Sequence, residues 1–249
     1  MKPLSVATYN IHKGMSPLNR KVMVPAMARA LDTLSSDVVF LQEVQGRNTL
    51  RALRHPNWPS VPQHHYLARH LGSKVTYGLN AAYDHGHHGN ALLSRFPVTE
   101  WCNLDISVNR LESRGILHCM LQPQGWAQPV VTLCAHLNLL ARDRRKQFEA
   151  LSRYIDSNVP PDAMLILAGD FNDWRDEASA ILRERAGLNE VFRLLNGECA
   201  RSFPARMPML ALDRIYVRGL RPVSVEVHRG LPWAKLSDHL PLSAQLLPL

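Results

Sequence analysis

The chain has 249 residues, 46% hydrophobic and 20% charged, globular values without a low-complexity segment that fit one large domain over 1–249. Its formal charge of +8 comes from 23 Arg and 6 Lys against 21 acidic residues. Arginine forks match phosphates, so the charge admits a phosphate-bearing partner, nucleic acid or anionic phospholipid, as well as a simply solvated surface. No apolar run reaches the roughly 18 residues of a membrane span. Leu4 to Ile11 is too short and too interrupted by Ser5, Thr8 and Asn10 for a signal peptide, so a cytoplasmic monomer is expected. Cys102, Cys119, Cys134 and Cys199 form no Cys-x-x-Cys pair, which argues for a reducing compartment and against zinc.

In chain order, Leu4 to Ile11 reads as a strand that places Asn10 at its C-terminal end, before a polar loop His12-Lys13-Gly14. Val24, Met27, Leu31 and Leu34 fall on one face of a helix, with Pro25 tolerated in its first turn. Val38 to Val44 is a nearly continuous apolar run, as in a strand covered on both faces, and Glu43 closes it. Residues 46–72 are rich in Arg, His and Pro, with a short helix over Gln63 to His70. Lys74 to Ala82 is a strand, the histidines of His85 to His88 sit in a polar surface loop, and Asn90 to Ser94 is another strand.

Strands are expected over Val98 to Ile106, Gly115 to Leu121 and Val130 to Leu137, the last closing on His136. Arg142 to Ser157 is an amphipathic helix whose Phe148, Leu151 and Ile155 face inward, with Arg144, Arg145, Lys146 and Arg153 largely on the other face. That basic first turn opposes the helix dipole and suggests an anion nearby. The run Ala163 to Leu167 delivers Gly169-Asp170-Phe171-Asn172 from a strand, and a short helix covers Glu177 to Arg185. Leu210 to Val217 is a strand with Asp213 embedded in it, Pro222 to His228 another, and Ser237-Asp238-His239 introduces the last, Leu242 to Leu247. Many strands, few helices and no regular βαβ alternation argue for mixed or antiparallel sheets packed face to face, with helices outside.

Polar residues close these apolar strands at Asn10, Glu43, His136, Asp170, Asn172, Asp213 and Asp238-His239, as at the lip of a catalytic cleft. Their motifs, Thr8-Tyr9-Asn10, Leu41-Gln42-Glu43-Val44, Asn90 to Pro97, Ala135-His136-Leu137, Gly169 to Asn172, Leu212 to Ile215 and Ser237-Asp238-His239, occur in one order. In that order the chain resembles the endonuclease/exonuclease/phosphatase superfamily, the DNase I-like fold, from residue 8 to about 242.

The resemblance implies an α/β fold, a four-layered sandwich of two packed mixed sheets flanked by helices, and metal-dependent phosphate-ester hydrolysis. It further implies Mg²⁺ or Mn²⁺ held by Glu43 with Asn10 and Asp238, and catalysis by His136, Asp170, Asn172, Asp213 and His239. Asp213 would orient His239, Asp170 and Asn172 would position water or a phosphoryl oxygen, and His136 would donate to the phosphate. Whether Asp170 or His239 takes the proton stays open. Arg114, Asn90 and Arg145 are candidate substrate-binding residues. The expected activity is a nuclease on DNA or RNA. A sphingomyelinase-like or inositol-phosphate hydrolase is the alternative, and a catalytically silent phosphate-binding module is a third reading of another class.

Overall fold

The computed structural model describes residues 2–249. In chain order its elements begin with β1 (Leu4–Asn10), α1 (Val24–Thr33), β2 (Val38–Asn48), α2 (Thr49–Arg54), α3 (Gln63–His70), β3 (Lys74–Tyr83) and β4 (Gly86–Ser94). Then follow β5 (Val98–Asp105), β6 (Gly115–Leu121), β7 (Val130–His136), α4 (Ala141–Asn158), β8 (Met164–Asp170), α5 (Glu177–Ala186) and β9 (Asn189–Glu190). The chain closes with α6 (Val191–Asn196), β10 (Asp213–Arg218), β11 (Leu220–Val227), α7 (Trp233–Leu236) and β12 (Leu242–Pro248).

The strands form two six-stranded sheets, ordered β11-β12-β1-β2-β4-β3 and β5-β6-β7-β8-β10-β9. Each has one parallel pair near its centre, β1 with β2 and β7 with β8, and antiparallel neighbours elsewhere. The two parallel crossovers run through α1 and α4 and cover the outer faces. Alternation along the strands separates three cores. Leu4, Val6 and Phe40 of the first sheet meet Leu117, Ile166 and Ile215 of the second between the sheets. Ala7, Tyr9, Val39 and Leu41 pack outward on Met27, Leu31 and Leu67. Leu133, Leu165 and Leu167 pack outward on Phe148, Leu151 and Leu182. The result is the four-layered α/β/β/α sandwich expected from the sequence. No described helix is long and apolar enough to cross a membrane.

Several local expectations are corrected. His87 and His88 belong to β4, paired with β3 and β2, because the glycines around them admit the close approach of neighbouring strands. Asp213 opens β10 instead of lying inside it. Arg144 is 1% exposed, not on a solvated face. Its Nη1 donates to the carbonyls of Asn138 and Leu139, and its guanidinium lies over the Trp174 ring, 4.6 Å from the centroid. The guanidinium thus turns to the loop before its own helix, with Nε and Nη2 left without a hydrogen-bond partner, and the helix's first turn also holds the buried Asp143.

Gly169 is required where β8 approaches β7. A Cβ there would stand 1.8 Å from the Ala135 carbonyl oxygen, at a φ of +151° that L residues rarely adopt. Gly169→Ala is therefore expected to destabilise the fold by about 3 kcal/mol. Thermal unfolding should show this as a Tm lower by roughly 6–12 °C for a chain of this size.

Candidate active site

Alternation brings the polar strand ends together. Along β1, Leu4, Val6 and Thr8 face the opposite sheet, and Asn10 is the last residue of that series. The same series ends at His136 in β7 and Asp170 in β8, while Asp213 starts it in β10. His136 pairs with Asp170 and Asp213 with Asp170 in register, so the three side chains form one row across three adjacent strands. Beneath the row lies a buried polar layer in which Gln42 Nε2 donates to Thr8 Oγ1 and the Cys134 sulfur. The apolar sandwich therefore ends in a polar floor at the C-terminal ends of both parallel pairs.

Hydrogen bonds fix the geometry. Asn10 Nδ2 donates across the inter-sheet gap to Asp170 Oδ2 at 2.9 Å, and the Asn172 backbone donates to Asp170 Oδ1 at 2.9 Å. The Asn172 side chain donates to the Leu137 carbonyl, and its own φ of 50° turns the chain sharply after β8. His239 Nδ1 lies 2.8 Å from Asp213 Oδ2, and its Nε2 lies 3.7 Å from Asp170 Oδ2. His136 Nε2 lies 3.6 Å from the same Asp170 oxygen. Ser202 donates its hydroxyl to Asp213 Oδ2, and Ser237 donates its hydroxyl to the Asn10 carbonyl.

The charge states follow from these neighbours. Burial disfavours a charged His239 ring, but the carboxylates of Asp213 and Asp170 on either side outweigh it and raise its pKa to about 10. Burial raises Asp170 to about 6, with the His239 ring pulling down and Asp213 pushing up. Burial drives His136 well below the usual imidazole value, and the nearby Arg114 and His239 reinforce this. The flanking carboxylates thus favour a protonated His239 ring, and burial favours a neutral His136.

Glu43 reaches the site through a bulge. Leu41 pairs with Ala91 and Val44 with Gly89, so Gln42 and Glu43 together face Asn90 alone, and Glu43 takes a φ of 56°. That strain re-aims its carboxylate out of the normal alternation, a cost that clusters at functional sites. Its Oε2 is buried without a hydrogen-bond partner, and its nearest cation is Lys13 Nζ at 3.7 Å. The adjacent His12 places Nδ1 3.1 Å from Asp238. Both belong to a single 3-10 turn, His12–Gly14, in which His12 and Lys13 have positive φ. Hard oxygen donors with unpartnered buried atoms, Glu43 Oε2 and Asp213 Oδ1, fit a hard divalent cation. Asp170, Asp213 and His239 also cluster with one side-chain atom each within 4.8 Å of one another, where only the carboxylates can ligate while the ring stays protonated.

The substrate-binding expectations fare differently. Arg114 is mostly buried, holds Glu112 at 2.9 Å and lies near enough to His136 to lower that ring's basicity. Asn90 is fully buried and donates to the carbonyls of Gly115 at 2.9 Å and Cys134 at 3.2 Å, which ties the two sheets together, while its Oδ1 stays without a hydrogen-bond partner. Arg145 lies on the exposed face of α4, where its fork donates to both oxygens of Glu177. Sequence reasoning did not place His12, Lys13 or Ser202 beside these side chains. The first two lay in view as a polar loop after a strand, whereas Ser202 follows a stretch with no periodic signal.

A profile of the Endonuclease/Exonuclease/phosphatase family matches residues 7–239. The chain is 41% identical over 244 residues to the "Uncharacterized protein YbhP" of Escherichia coli K12, covering 97% of this chain and 95% of that protein. Among solved structures, an endonuclease/exonuclease/phosphatase from Beutenbergia cavernae superposes with a TM-score of 0.77 at 20% identity, covering 100% of this chain and 72% of that one. TDP2 of D. rerio, complexed with a single-strand DNA product, superposes with a TM-score of 0.72 at 20% identity, covering 98% and 99%. With strand ends, polar row and profile all in agreement, the chain belongs to the endonuclease/exonuclease/phosphatase family.

Proposed function

We propose that this chain is a divalent-metal-dependent phosphodiesterase. Enzymes of its family are generally phosphoesterases that commonly use divalent metals. The observation that carries the reading is the His239 ring clamped between Asp213 and Asp170, with a strained Glu43 carboxylate elsewhere among the strand ends that keeps an unpartnered buried oxygen. Glu43, with Asn10 and Asp238, would hold the metal, which supplies polarisation of a phosphoryl oxygen when bound.

The remaining roles rest on this chain's own side chains. Because carboxylates flank both ring nitrogens of His239, the ring keeps its proton and presents positive charge to a phosphate. Asp170 is then the group left to accept the proton of the attacking water, with the Asn10 amide and the Asn172 backbone holding its two oxygens in place. Neutral His136 offers an N–H to a phosphate oxygen, and Arg114 adds fixed positive charge at the cleft.

Nucleic acid is the substrate class favoured by the net charge of +8 and by the DNA product held by the D. rerio TDP2 neighbour. A second reading, hydrolysis of a phospholipid head group, is favoured by the exposed apolar side chains around the cleft, among them Leu111, Leu140 and Leu231. The test is a panel of plasmid DNA, RNA, abasic duplex, sphingomyelin, anionic phospholipids and inositol phosphates with Mg²⁺, Mn²⁺ or EDTA. At least one phosphodiester should be turned over with metal and spared with EDTA. Silence across the panel would favour the binding-module reading.

Glu43→Gln is expected to shift the Mg²⁺ activation curve to higher concentration by about ten- to a hundredfold, as loss of one charged oxygen ligand should. An unchanged Mg²⁺ titration would remove Glu43 from the metal site.

A further inference from the structure

Isolated apolar side chains on a surface need no explanation, but in this molecule they are sorted by pole. Six of the connections at the catalytic end share one pattern, 11–23 after β1, 106–114 before β6, 137–140 after β7, 171–176 after β8, 197–212 before β10 and 228–241 before β12, whereas the tight β3–β4 turn at 84–85 does not. Each of the six carries an exposed large apolar side chain with an exposed arginine within two residues. Leu18 stands by Arg20, Leu111 by Arg110, and Leu140 by Arg142. Trp174 with Arg175, Met207 with Arg206 and Leu231 with Arg229 complete the rim. Leu111 is 93% exposed and Leu231 71%, so these are tips and not the edges of a core. At the opposite pole, connections 34–37, 71–73, 95–97, 122–129 and 159–163 expose no large apolar side chain, and the one exposed there among the described residues is the C-terminal Leu249.

Two of the tips form one braced ledge. The buried Arg144 ties the Leu139 carbonyl to the underside of the Trp174 ring, leaving Leu139, Leu140 and Trp174 projecting together beside the polar row. The rim's chemistry separates two polyanionic partners. Single-stranded nucleic acid is gripped by aromatic platforms between cations, yet only Trp174 of these tips is aromatic, and leucine and methionine add nothing to phosphate or base recognition. Aliphatic tips alternating with arginines suit a surface that is apolar beneath an anionic layer.

We propose that the catalytic end docks on an anionic phospholipid bilayer, with the apolar tips entering the acyl boundary and the arginines meeting lipid phosphates. The cleft between the tips then faces the head groups. Resting on the phosphodiesterase reading, this sets its second substrate class, a phospholipid head-group phosphodiester, above nucleic acid as the bond brought to Asp170 and His239.

The test is co-sedimentation of the full chain with vesicles of phosphatidylcholine alone and of phosphatidylcholine mixed with phosphatidylglycerol. Binding is expected to the mixed vesicles, to weaken with salt, and to be slight on phosphatidylcholine alone. The pair Leu139→Glu and Leu140→Glu should lower vesicle affinity by about tenfold or more while hydrolysis of soluble bis(p-nitrophenyl) phosphate is unchanged. The pair Leu111→Ser and Leu231→Ser, in two other connections, should act in the same direction, which separates docking from local misfolding. Wild-type protein that ignores mixed vesicles overturns the proposal, as does vesicle binding unaffected by both pairs. Salt-sensitive binding of DNA without vesicle binding overturns it in favour of nucleic acid. Vesicle binding with no hydrolysis of any diester upholds docking and overturns the phosphodiesterase reading instead.

Discussion

Asp170→Asn is expected to lower kcat on a phosphodiester by about a hundred- to ten-thousandfold, the contribution of a positioned general base, while the protein stays folded. Asparagine matches the carboxylate in shape but cannot accept a proton from water. One of its two positions would also present an N–H to a group that is itself a donor, since Asn10 Nδ2 holds one Asp170 oxygen and the Asn172 backbone N–H the other. The cost of that lost bond is offset by removing a buried carboxylate that its surroundings disfavour. Burial and Asp213 raise the folded pKa of Asp170 to about 6 from an ordinary 3.8, so its ionisation above that range weakens the fold. The Tm at neutral pH should therefore stay within a few degrees of wild type, and a melting curve beside the kinetics separates lost chemistry from lost structure. Near-wild-type turnover would remove Asp170 from the mechanism.

His239→Ala should differ in kind, because it removes both chemistry and stability. The ring is the positive partner of two buried carboxylates, Asp213 at 2.8 Å and Asp170 at 3.7 Å. Deleting one member of a buried ion pair typically costs about 3–5 kcal/mol, and a chain of this length loses roughly 2–4 °C of Tm for each kcal/mol. A Tm lower by roughly 6–20 °C is expected, with activity reduced at least as far as in Asp170→Asn. Adding Asp213→Asn to His239→Ala removes the stranded charge and should recover much of the Tm without recovering activity. If the double variant stays as unstable as the single one, the ring acts by packing, for instance against Phe203 5.0 Å away, and not by charge.

Much of this site was legible because it is written locally. An apolar strand that stops at Asn10, His136 or Asp170 needs no tertiary knowledge to look like a cleft edge, and the order of those edges carried the family resemblance. Legibility failed where long-range packing decides. Glu43 reads as the end of a strand, yet β2 continues to Asn48 and Glu43 is the displaced residue of a bulge opposite Asn90. Asn90 resembles a site residue in its motif, but its amide joins two sheets whose contact no spacing reveals. Arg144 follows a helical period that puts it outside, until the Trp174 ring and two loop carbonyls enclose it. The histidines of β4 look like loop residues because their glycines signal turns. In the fold those glycines allow backbone contact, as at Gly89, where a Cβ would meet the Gly78 carbonyl oxygen at 1.9 Å. Residues 187–209 carry no clear period, so β9, α6 and the Ser202 that supports Asp213 could be found only in three dimensions.

Hydrolysis of bis(p-nitrophenyl) phosphate under a Mg²⁺ or Mn²⁺ titration, with EDTA as the zero point, tests the central claim most directly because it bypasses every question of substrate docking. Turnover that rises with metal, vanishes in EDTA and is nearly lost in Asp170→Asn is the predicted result. Turnover that is indifferent to metal, or equal in wild type and Asp170→Asn, would contradict it.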